Sequence, residues 1–332
     1  MQYNTKMLRF PNDITCAAQL IADGECVAVK TETVYGLAAN AADANAVARI
    51  FEAKARPATN PLIVHIASID DINKWAKEVP DVAFTLAERF WPGPLSLLLK
   101  KQEWVPNCVT GGQDSIVLRM PASEDFLLLI KETGLGLAAP SANKYKFISP
   151  TSAQHVLTSL DGRIAAVVDG GKAEVGIEST IVDVTGASPS IVRPGPINDE
   201  QLSRTLGLNV SYSEKAGVTV PGSVKQHYQP ITPVILQSTD AILERFRHYE
   251  APLKPRCNKR VGFITHSGLT LQDSVLNVSH MKLGDSAEQY ATELYAALHT
   301  LDKQGLTQII IESLPNTEAW HAINNRVCRI VA

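Results

Sequence analysis

The chain has 332 residues, which favours two domains, and 45% of them are hydrophobic while 20% are charged, as expected for a protein with a substantial buried interior. The formal net charge of −3 argues against stable nucleic-acid binding along a broad basic face, although it allows a local basic pocket. No apolar run approaches the roughly 18 residues that cross a bilayer, and the N-terminal MQYNTKMLRFPND lacks a signal-peptide core, so a cytoplasmic protein without a membrane segment is expected.

Short apolar runs alternate with helical patterns through the first part of the chain. Segments bounded by Gly, Pro or Asp predict strands at ECVAVKT, PLIVHIA, LSLLLK, SIVLRMP, AAVVDGG and STIVDVTG. Apolar residues at helical spacing predict helices at ANAVARIFEAKAR, DVAFTLAERFW, SEDFLLLIKETG and PTSAQHVLTSLDG. This alternation is typical of an α/β domain with a mixed sheet, which we place at residues 1–207.

The pattern weakens at residues 208–232, which are rich in Gly, Pro and Ser and form the predicted linker. Beyond the linker, strands are predicted at PVILQS, VGFIT, VLNVS and QIIIES, and helices at AILERFRHY and SAEQYATELYAALHTLDKQG. The second helix has a capping box from Ser286 to Gln289 and a stop signal at Gly305. Residues 233–332 are therefore predicted to form a small, Rossmann-like α/β domain.

The common motifs for nucleotides, metals and hydrolysis are absent from the sequence. There is no G-x-x-x-x-G-K-[ST] loop, no G-x-G-x-x-G after a strand, no H-E-x-x-H and no G-x-S-x-G. The eight histidines and five cysteines show no metal-ligand spacing, so we expect reduced thiols and no metal site built by the protein. A nucleotide would need a different cradle.

The segment KTETVYG follows the apolar strand ECVAV directly. Its hydroxyl groups would lie at the carboxyl end of a strand, where open α/β sheets bind ligands. The alternative is that Thr31 and Thr33 are turn residues.

PSAN follows the apolar run LGLAA in the same way and presents Ser141 and Asn143, which are short polar donors suited to phosphate oxygens or a base edge. The alternative for Asn143 is an Asx-turn.

Cations and a histidine follow the next helix. Lys54 and Arg56 either satisfy the carbonyls at the helix end or, because Pro57 and Pro61 break the helix, are presented from a rigid loop. A triphosphate needs such cations. His65 lies in a predicted strand, where a hydrogen-bonded core histidine is the alternative to a ligand-binding one.

Seven segments in order, TETVYGL, FEAKARPATNPLIVHI, WPGPLSLLL, SIVLRMP, PSAN with SPTSAQHV, VGIESTIVDV and IVRPG, resemble the YrdC-like threonylcarbamoyl-AMP synthases. PGSVKQHYQP resembles the linker of the long form of this family, and ELYAALHTLDKQG with AINNRV resembles its extra C-terminal domain. The resemblance implies a YrdC-like mixed, twisted sheet with a ligand cleft, a linker that covers the cleft, and the smaller Rossmann-like domain.

The resemblance also implies an activity. ATP, L-threonine and bicarbonate would give L-threonylcarbamoyl-AMP and pyrophosphate, with Mg²⁺ bound through the ATP phosphates. Downstream threonylcarbamoyl-transfer proteins would then modify transfer RNA.

The resemblance also assigns site residues, position by position along the matching segments. The threonine site would consist of Thr33, His65, Arg119, Ala139 and Ser179. The ATP site would consist of Arg56, Asn60, Ser115, Ser141, Asn143, Ser149, Arg193 and Tyr228. Lys54 and Arg56 would be catalytic, because they would stabilise the charge that develops on the departing pyrophosphate.

The sequence departs from the family pattern at three places. Lys30 and Ala38 stand where the family usually has Pro and Gly, Tyr145-Lys146-Phe147 replaces a Ser-Gly step, and Val224 and Gln226 replace cations of the linker.

Two other interpretations of the function stay open. One is the carbamoyl-adenylate chemistry of hydrogenase maturation, whose family carries cysteine pairs that this sequence lacks. The other is an RNA- or nucleotide-binding module without catalysis.

Overall fold

The strand-forming runs of the N-terminal part pair into one mixed sheet. The computed structural model describes residues 3–213, 219–222, 226–250, 260–269 and 278–331. They fall into an N-terminal unit of residues 1–145 and 149–223 and a C-terminal unit of residues 146–148 and 224–332. The strands of the N-terminal unit are β1 (Lys6–Leu8), β2 (Val27–Val29), β3 (Gly36–Asn40), β4 (Ile63–His65), β5 (Leu95–Lys100), β6 (Ser115–Arg119), β7 (Leu137–Ala138), β8 (Ala166–Val168), β9 (Thr180–Asp183), β10 (Ser190–Arg193) and β11 (Ser211–Tyr212).

The order of these strands in the sheet is β1-β8-β2-β3-β7-β4-β6-β5-β9-β10-β11. The pairs β4–β6 and β5–β9 are parallel, whereas β5–β6, β4–β7 and β9–β10 are antiparallel. This architecture confirms the predicted mixed α/β fold. All six predicted strands of this half are present.

Helices cover the sheet and connect its strands. They are α1 (Ile14–Ala22), α2 (Ala44–Lys54), α3 (Ile72–Trp75), α4 (Asp81–Phe90), α5 (Asn107–Thr110), α6 (Glu124–Thr133), α7 (Ala153–Leu160) and α8 (Asp199–Leu206). Asp43 caps the start of α2, because its side chain accepts a hydrogen bond from Asn45 N, and the helix ends before Ala55, which has the left-handed conformation with φ 49°. The predicted helix extended through Arg56, so the turn at Ala55 shortens it by two residues.

The two faces of the central sheet carry different side chains, because alternate residues of a strand point to opposite faces. Val64, Leu97, Leu118 and Val182 belong to the large core cluster that also contains apolar residues of α2, α4, α7 and α8. Ile63, Leu98, Val117 and Ile181 form a separate cluster with Val220. We call the face that carries this second set the site face.

A third apolar cluster lies at the β7 side of the sheet. It joins Val29, Leu137 and Ala139 to α1 and α6, including Phe126. The aromatic ring of His65 lies 5.0 Å from the ring of Phe126. His65 therefore lies beside this cluster.

The C-terminal unit contains a parallel sheet of four strands in the order β12-β15-β13-β14. Its elements are β12 (Val234–Gln237), α9 (Thr239–Glu250), β13 (Val261–Thr265), β14 (Val278–Lys282), α10 (Ala287–Asp302), β15 (Gln308–Glu312) and α11 (His321–Val331). Ser286 Oγ accepts a hydrogen bond from Gln289 N, as a capping residue does, and α10 ends three residues before Gly305. Part of the predicted strand VLNVS lies outside the described residues.

Part of the predicted linker packs on the N-terminal unit. Within residues 208–232, Ser211–Tyr212 pair with β10, and Val220 is buried against the site face. Residues 214–218 and 223–225, with Val224 among them, lie outside the described residues. The boundaries at 207/208 and 232/233, and the covering of the cleft, stay predictions. Every helix in the described part is too short or too polar to span a bilayer.

Candidate active site

His65 and Arg119 lie at the carboxyl ends of two neighbouring parallel strands. They are direct partners in the register of β4 and β6, and both side chains belong to the site face, as those of Ile63 and Val117 do. Ala139 follows β7, and its N–H donates to Ile63 O at 3.0 Å. The predicted threonine residues His65 and Arg119 are thus neighbours, while Ala139 lies opposite Ile63, two residues before His65 in β4.

The guanidinium of Arg119 is buried and has three protein acceptors. It donates to Thr33 Oγ1 at 3.0 Å, to Gly93 O at 3.1 Å and to Glu32 Oε1 at 2.6 Å. Glu32 was not among the predicted site residues. The signal that could have found it is a carboxylate between two threonines in a turn that follows a buried strand.

Thr31 and Thr33 have different roles. Thr31 Oγ1 accepts hydrogen bonds from the backbone N–H groups of Thr33 and Val34, both at 3.1 Å, which makes Thr31 a turn residue. The Thr33 hydroxyl accepts from Arg119. The turn alternative therefore holds for Thr31 alone.

The His65 imidazole is buried, and its Nδ1 has no hydrogen-bond partner among the described residues. Burial, and secondly the nearby charge of Arg119, lower the pKa of His65 to about 3, although the carbonyls of Leu137 and Ile63 act in the opposite direction. His65 is neutral at pH 7, so one ring nitrogen donates and the other accepts. An unsatisfied buried nitrogen is costly without a ligand, and this distinguishes His65 from a satisfied core histidine.

Ser179 and Arg193 are bonded to each other, although they were assigned to different substrates. Arg193 Nη2 donates to Ser179 Oγ at 2.8 Å and Nε donates to Ser179 O at 2.9 Å. Ser179 Oγ also lies 2.8 Å from Ser96 Oγ on β5. A side chain at Gly195 would meet the Thr180 nitrogen at 2.3 Å, so this glycine allows the loop after β10 to approach Ser179 closely. Ser96 had not been predicted.

Lys54 bonds the PSAN turn directly. Its Nζ donates to Ser141 O and to Asn143 O, both at 2.5 Å. The pKa of Lys54 is lowered well below its ordinary value, first by burial and then by the charge of Arg56. The alternative in which Lys54 only satisfies the carbonyls of its own helix end does not describe these contacts.

Arg56 and Asn60 both contact Tyr145, which follows the PSAN segment. Arg56 donates to Pro61 O at 3.0 Å, and its guanidinium carbon lies 5.8 Å from the centre of the Tyr145 ring. Asn60 Nδ2 lies 3.5 Å from the Tyr145 hydroxyl. Lys54, Arg56, Asn60, Ser141 and Asn143 therefore form one contiguous group.

The remaining predicted ATP residues are dispersed. Ser149 Oγ donates to the buried Glu178 carboxylate at 2.7 Å. Ser115 begins β6 and lies at the opposite end of this strand from Arg119, about 13 Å away at 3.3 Å per residue. Tyr228 belongs to the C-terminal unit, where its ring stacks on Tyr295 at 5.5 Å and lies 5.7 Å from the guanidinium carbon of Arg326.

Comparisons with known proteins cover nearly the whole chain. Residues 19–195 match the family model of the Sua5, YciO and YrdC proteins, described as "Telomere recombination", and residues 197–330 match a model described as "Threonylcarbamoyl-AMP synthase, C-terminal domain". The threonylcarbamoyl-AMP synthase of Pyrococcus abyssi is 42% identical over 95% of this chain and 92% of the relative, and that of Bacillus subtilis is 39% identical over 95% and 92%. The chain belongs to the threonylcarbamoyl-AMP synthase family.

This threonylcarbamoyl-AMP synthase family member shares its fold with a protein of known structure. The crystal structure of Pyrococcus abyssi Sua5 complexed with L-threonine is 38% identical, with a TM-score of 0.88 over 98% of this chain and 97% of that one. The sequence-based assignment to the family is therefore confirmed, together with the fold.

Proposed function

We propose that this enzyme makes L-threonylcarbamoyl-AMP from L-threonine, bicarbonate and ATP, releases pyrophosphate, and so supplies the activated intermediate for threonylcarbamoyladenosine in transfer RNA. The observation that carries the proposal is the presence, in one unit, of Arg119 and His65 at neighbouring strand positions and of a contiguous cationic group around Lys54 and Arg56. Membership of the synthase family supports it.

Arg119 would bind the threonine carboxylate. Three of its five N–H groups have protein acceptors among the described residues, which leaves two for a carboxylate. The neutral His65, the Ser179 hydroxyl and the Ala139 backbone would hold the rest of the amino acid. The unsatisfied Nδ1 of His65 would gain a partner in the threonine hydroxyl.

Arg56, Asn60, Ser141 and Asn143 would hold the phosphates of ATP, and the assignment of Ser115, Ser149, Arg193 and Tyr228 to ATP binding stays a prediction. Lys54 uses two of its three donors on the PSAN turn, so one N–H remains for a phosphate oxygen while the lysine fixes the loop. The described residues contain no group of three or more His, Cys, Asp or Glu side chains that could hold a metal ion, so Mg²⁺ would bind through the phosphates of ATP.

The reaction needs no protein nucleophile. Bicarbonate takes up a proton and loses water to give carbon dioxide. The deprotonated amine of threonine attacks the carbon of carbon dioxide and releases a proton as the carbamate forms, so the two protons balance. A carbamate oxygen then attacks the α-phosphorus, and the bond from the α-phosphorus to the bridging oxygen of pyrophosphate breaks. Arg56 and Lys54 would stabilise the charge that moves onto pyrophosphate, while positioning of the substrates would supply most of the remaining rate acceleration.

The experiment is pyrophosphate release from ATP with and without L-threonine and bicarbonate. Release that requires both, with threonylcarbamoyl-AMP detected by mass spectrometry, is the expected result. Binding of ATP with no release under any substrate combination would favour a nucleotide-binding module. Release that depends on carbamoyl phosphate instead of threonine would favour the hydrogenase-maturation chemistry. We further propose a cytoplasmic location and downstream transfer proteins as the consumers of the product.

A further inference from the structure

Glu32 forms a buried ion pair with Arg119. Its Oε1 lies 2.6 Å from Arg119 Nη2, and the two side chains are 10% and 4% exposed. Removing one partner of such a pair leaves an uncompensated buried charge, so the pair is a constraint on this part of the site.

The partners of Arg119 fix the plane of its guanidinium. Thr33 Oγ1, Gly93 O and Glu32 each take a different nitrogen of the group. The backbone at Gly93 packs directly against the carbonyl of Phe90, since a side chain at this position would meet Phe90 O at 2.3 Å. Of the three acceptors, Glu32 alone is charged, and a charged acceptor forms the stronger hydrogen bond.

The Glu32 carboxylate is held on its other side. Its Oε2 accepts from the backbone N–H of Ala122 at 3.1 Å. The backbone of the same turn is tied to a second loop, since Val175 N donates to Glu32 O at 2.8 Å and Gly176 N donates to Thr33 O at 3.1 Å. Glu32 is therefore a rigid support and not a mobile counter-ion.

We propose that Glu32 is a positioning residue for amino-acid binding: it holds the guanidinium of Arg119 so that the two remaining N–H groups meet the carboxylate of threonine. This inference rests on the proposed function. A pre-oriented guanidinium does not lose side-chain entropy when the substrate binds, and its geometry is fixed before the carboxylate arrives. Without Glu32, Arg119 would keep its contacts with Thr33 and Gly93 but lose its one charged acceptor, and its guanidinium would be held less firmly.

The first test compares Glu32→Gln with Glu174→Gln in steady-state pyrophosphate release. Glutamine can accept from Arg119 or from Ala122 but not from both, because its NH₂ group faces a donor at the other position. We expect the KM for threonine to rise by about tenfold or more while the KM for ATP changes by less than about twofold. Glu174 pairs with Lys30 at the edge of the same turn and is 59% exposed. Glu174→Gln is therefore the matched control, because it also replaces a carboxylate with an amide, and it should behave like the wild type.

The second test is a double-mutant cycle with Arg119→Lys. If Glu32 acts through Arg119, Glu32→Gln should raise the threonine KM by less than about twofold in the Arg119→Lys background. Equal effects of Glu32→Gln in both backgrounds would overturn the inference, as would parallel increases in the KM of ATP and threonine. Glu32→Asp, which keeps the charge but is too short to hold both partners, replaces Glu32→Gln if that variant does not fold. Failure of the wild type to use threonine would instead refute the proposed function.

Discussion

At the scale of single residues, the site consists of charged groups that the chain keeps out of water. Lys54, Arg56, Arg119 and Arg193 are all buried, and the buried carboxylates nearby are Glu32 and Glu178. Buried cations are costly unless they are paired or hydrogen-bonded, so each one must be compensated by carbonyls or a carboxylate. Phosphates and a carboxylate would complete that compensation.

Arg56→Ala should lower the turnover number by about a hundredfold or more, the scale typical for loss of one transition-state stabiliser. The measurement is pyrophosphate release at saturating ATP and threonine. Arg49→Ala is the matched control, because Arg49 lies on α2 as well but is bonded to Gly24 O and Glu25. Near-normal turnover in a folded Arg56→Ala variant would show that Arg56 is not needed for catalysis.

His65 should make the protein less stable in acid. Its pKa is about 3 in the folded state and 6.5 without the fold, so below pH 6.5 the unfolded chain binds a proton that the folded chain does not. The free energy of unfolding should therefore fall by about 1.4 kcal/mol per pH unit from this group as the pH drops from 6.5 towards 3. Urea denaturation of wild type and His65→Gln across this range measures the difference.

The control for this experiment is Val64→Ala, which shortens a buried apolar side chain of the same strand and removes no titratable group. We expect the free energy of unfolding of the Val64→Ala protein to depend on pH as that of the wild type does, while the His65→Gln protein loses the contribution of one proton to this dependence. Identical slopes for wild type and His65→Gln would mean that His65 is accessible to protons in the folded protein.

At the scale of elements, the end of α2 is joined to the PSAN turn. Lys54 Nζ bonds two carbonyls of the turn, and Tyr145 N donates to Lys54 O at 2.8 Å. Arg163 donates to the last carbonyls of the same helix, at Ala53 O and Glu52 O. The helix end that presents Arg56 is therefore fixed from two sides.

Lys54→Met should destabilise the protein by about 1–3 kcal/mol, because it leaves the carbonyls of Ser141 and Asn143 buried without their donor. It should also weaken ATP binding, since the PSAN turn loses its anchor. Urea denaturation and calorimetric titration with ATP measure the two effects. Lys144→Met removes an exposed ammonium from the same loop and should change neither quantity; unchanged stability of Lys54→Met would exclude the anchoring role.

Elements with strong periodicity could be predicted from the sequence, and weak ones could not. The predicted strands around Val64, Leu97 and Val117 and helices such as α4 and α6 are present, because burial of Leu, Ile and Val decides their structure. β3 reads GLAAN and was missed, since small residues have low strand propensity; its pairing with β2 and β7 decides the conformation. β11 is two residues long and depends on pairing with β10.

The residues of the candidate site likewise divide into those that local sequence patterns indicate and those that they do not. The group around Lys54, Arg56 and PSAN was predicted because each segment directly follows a helix or strand. Glu32 and Ser96 were missed, since their relevance comes from contacts with Arg119 and Ser179, which are 87 and 83 residues away in the sequence. Spacing along the chain carries no information about such contacts without the fold.

At the scale of the whole molecule, the chain combines two α/β units with separate sheets. The C-terminal unit has its own buried anchor: the Glu312 carboxylate accepts from Thr239 Oγ1, His266 N and Ser267 N. Burial raises the pKa of Glu312, but these hydrogen bonds outweigh burial and hold the pKa below its ordinary value. The bonds tie together the loops at the carboxyl edge of that sheet.

The predicted covering of the cleft by residues 208–232 can be tested by limited proteolysis. If the segment covers the cleft when both substrates are bound, cleavage between the units should slow when ATP and threonine are present together and much less with either alone. Gel electrophoresis with time measures the rate. Equal cleavage rates under all conditions would contradict a substrate-dependent cover.

The site face has one more consequence, for the heat resistance of the enzyme. His65 and Arg119 occupy strand positions whose neighbours on the same face, Ile63 and Val117, are packed apolar residues. An aliphatic replacement at His65 would extend this apolar layer and remove a buried nitrogen that has no partner among the described residues, whereas the same change at Arg119 would leave the buried charge of Glu32 uncompensated. Selection for a higher melting temperature alone would therefore favour replacement of His65, at the expense of the proposed threonine site.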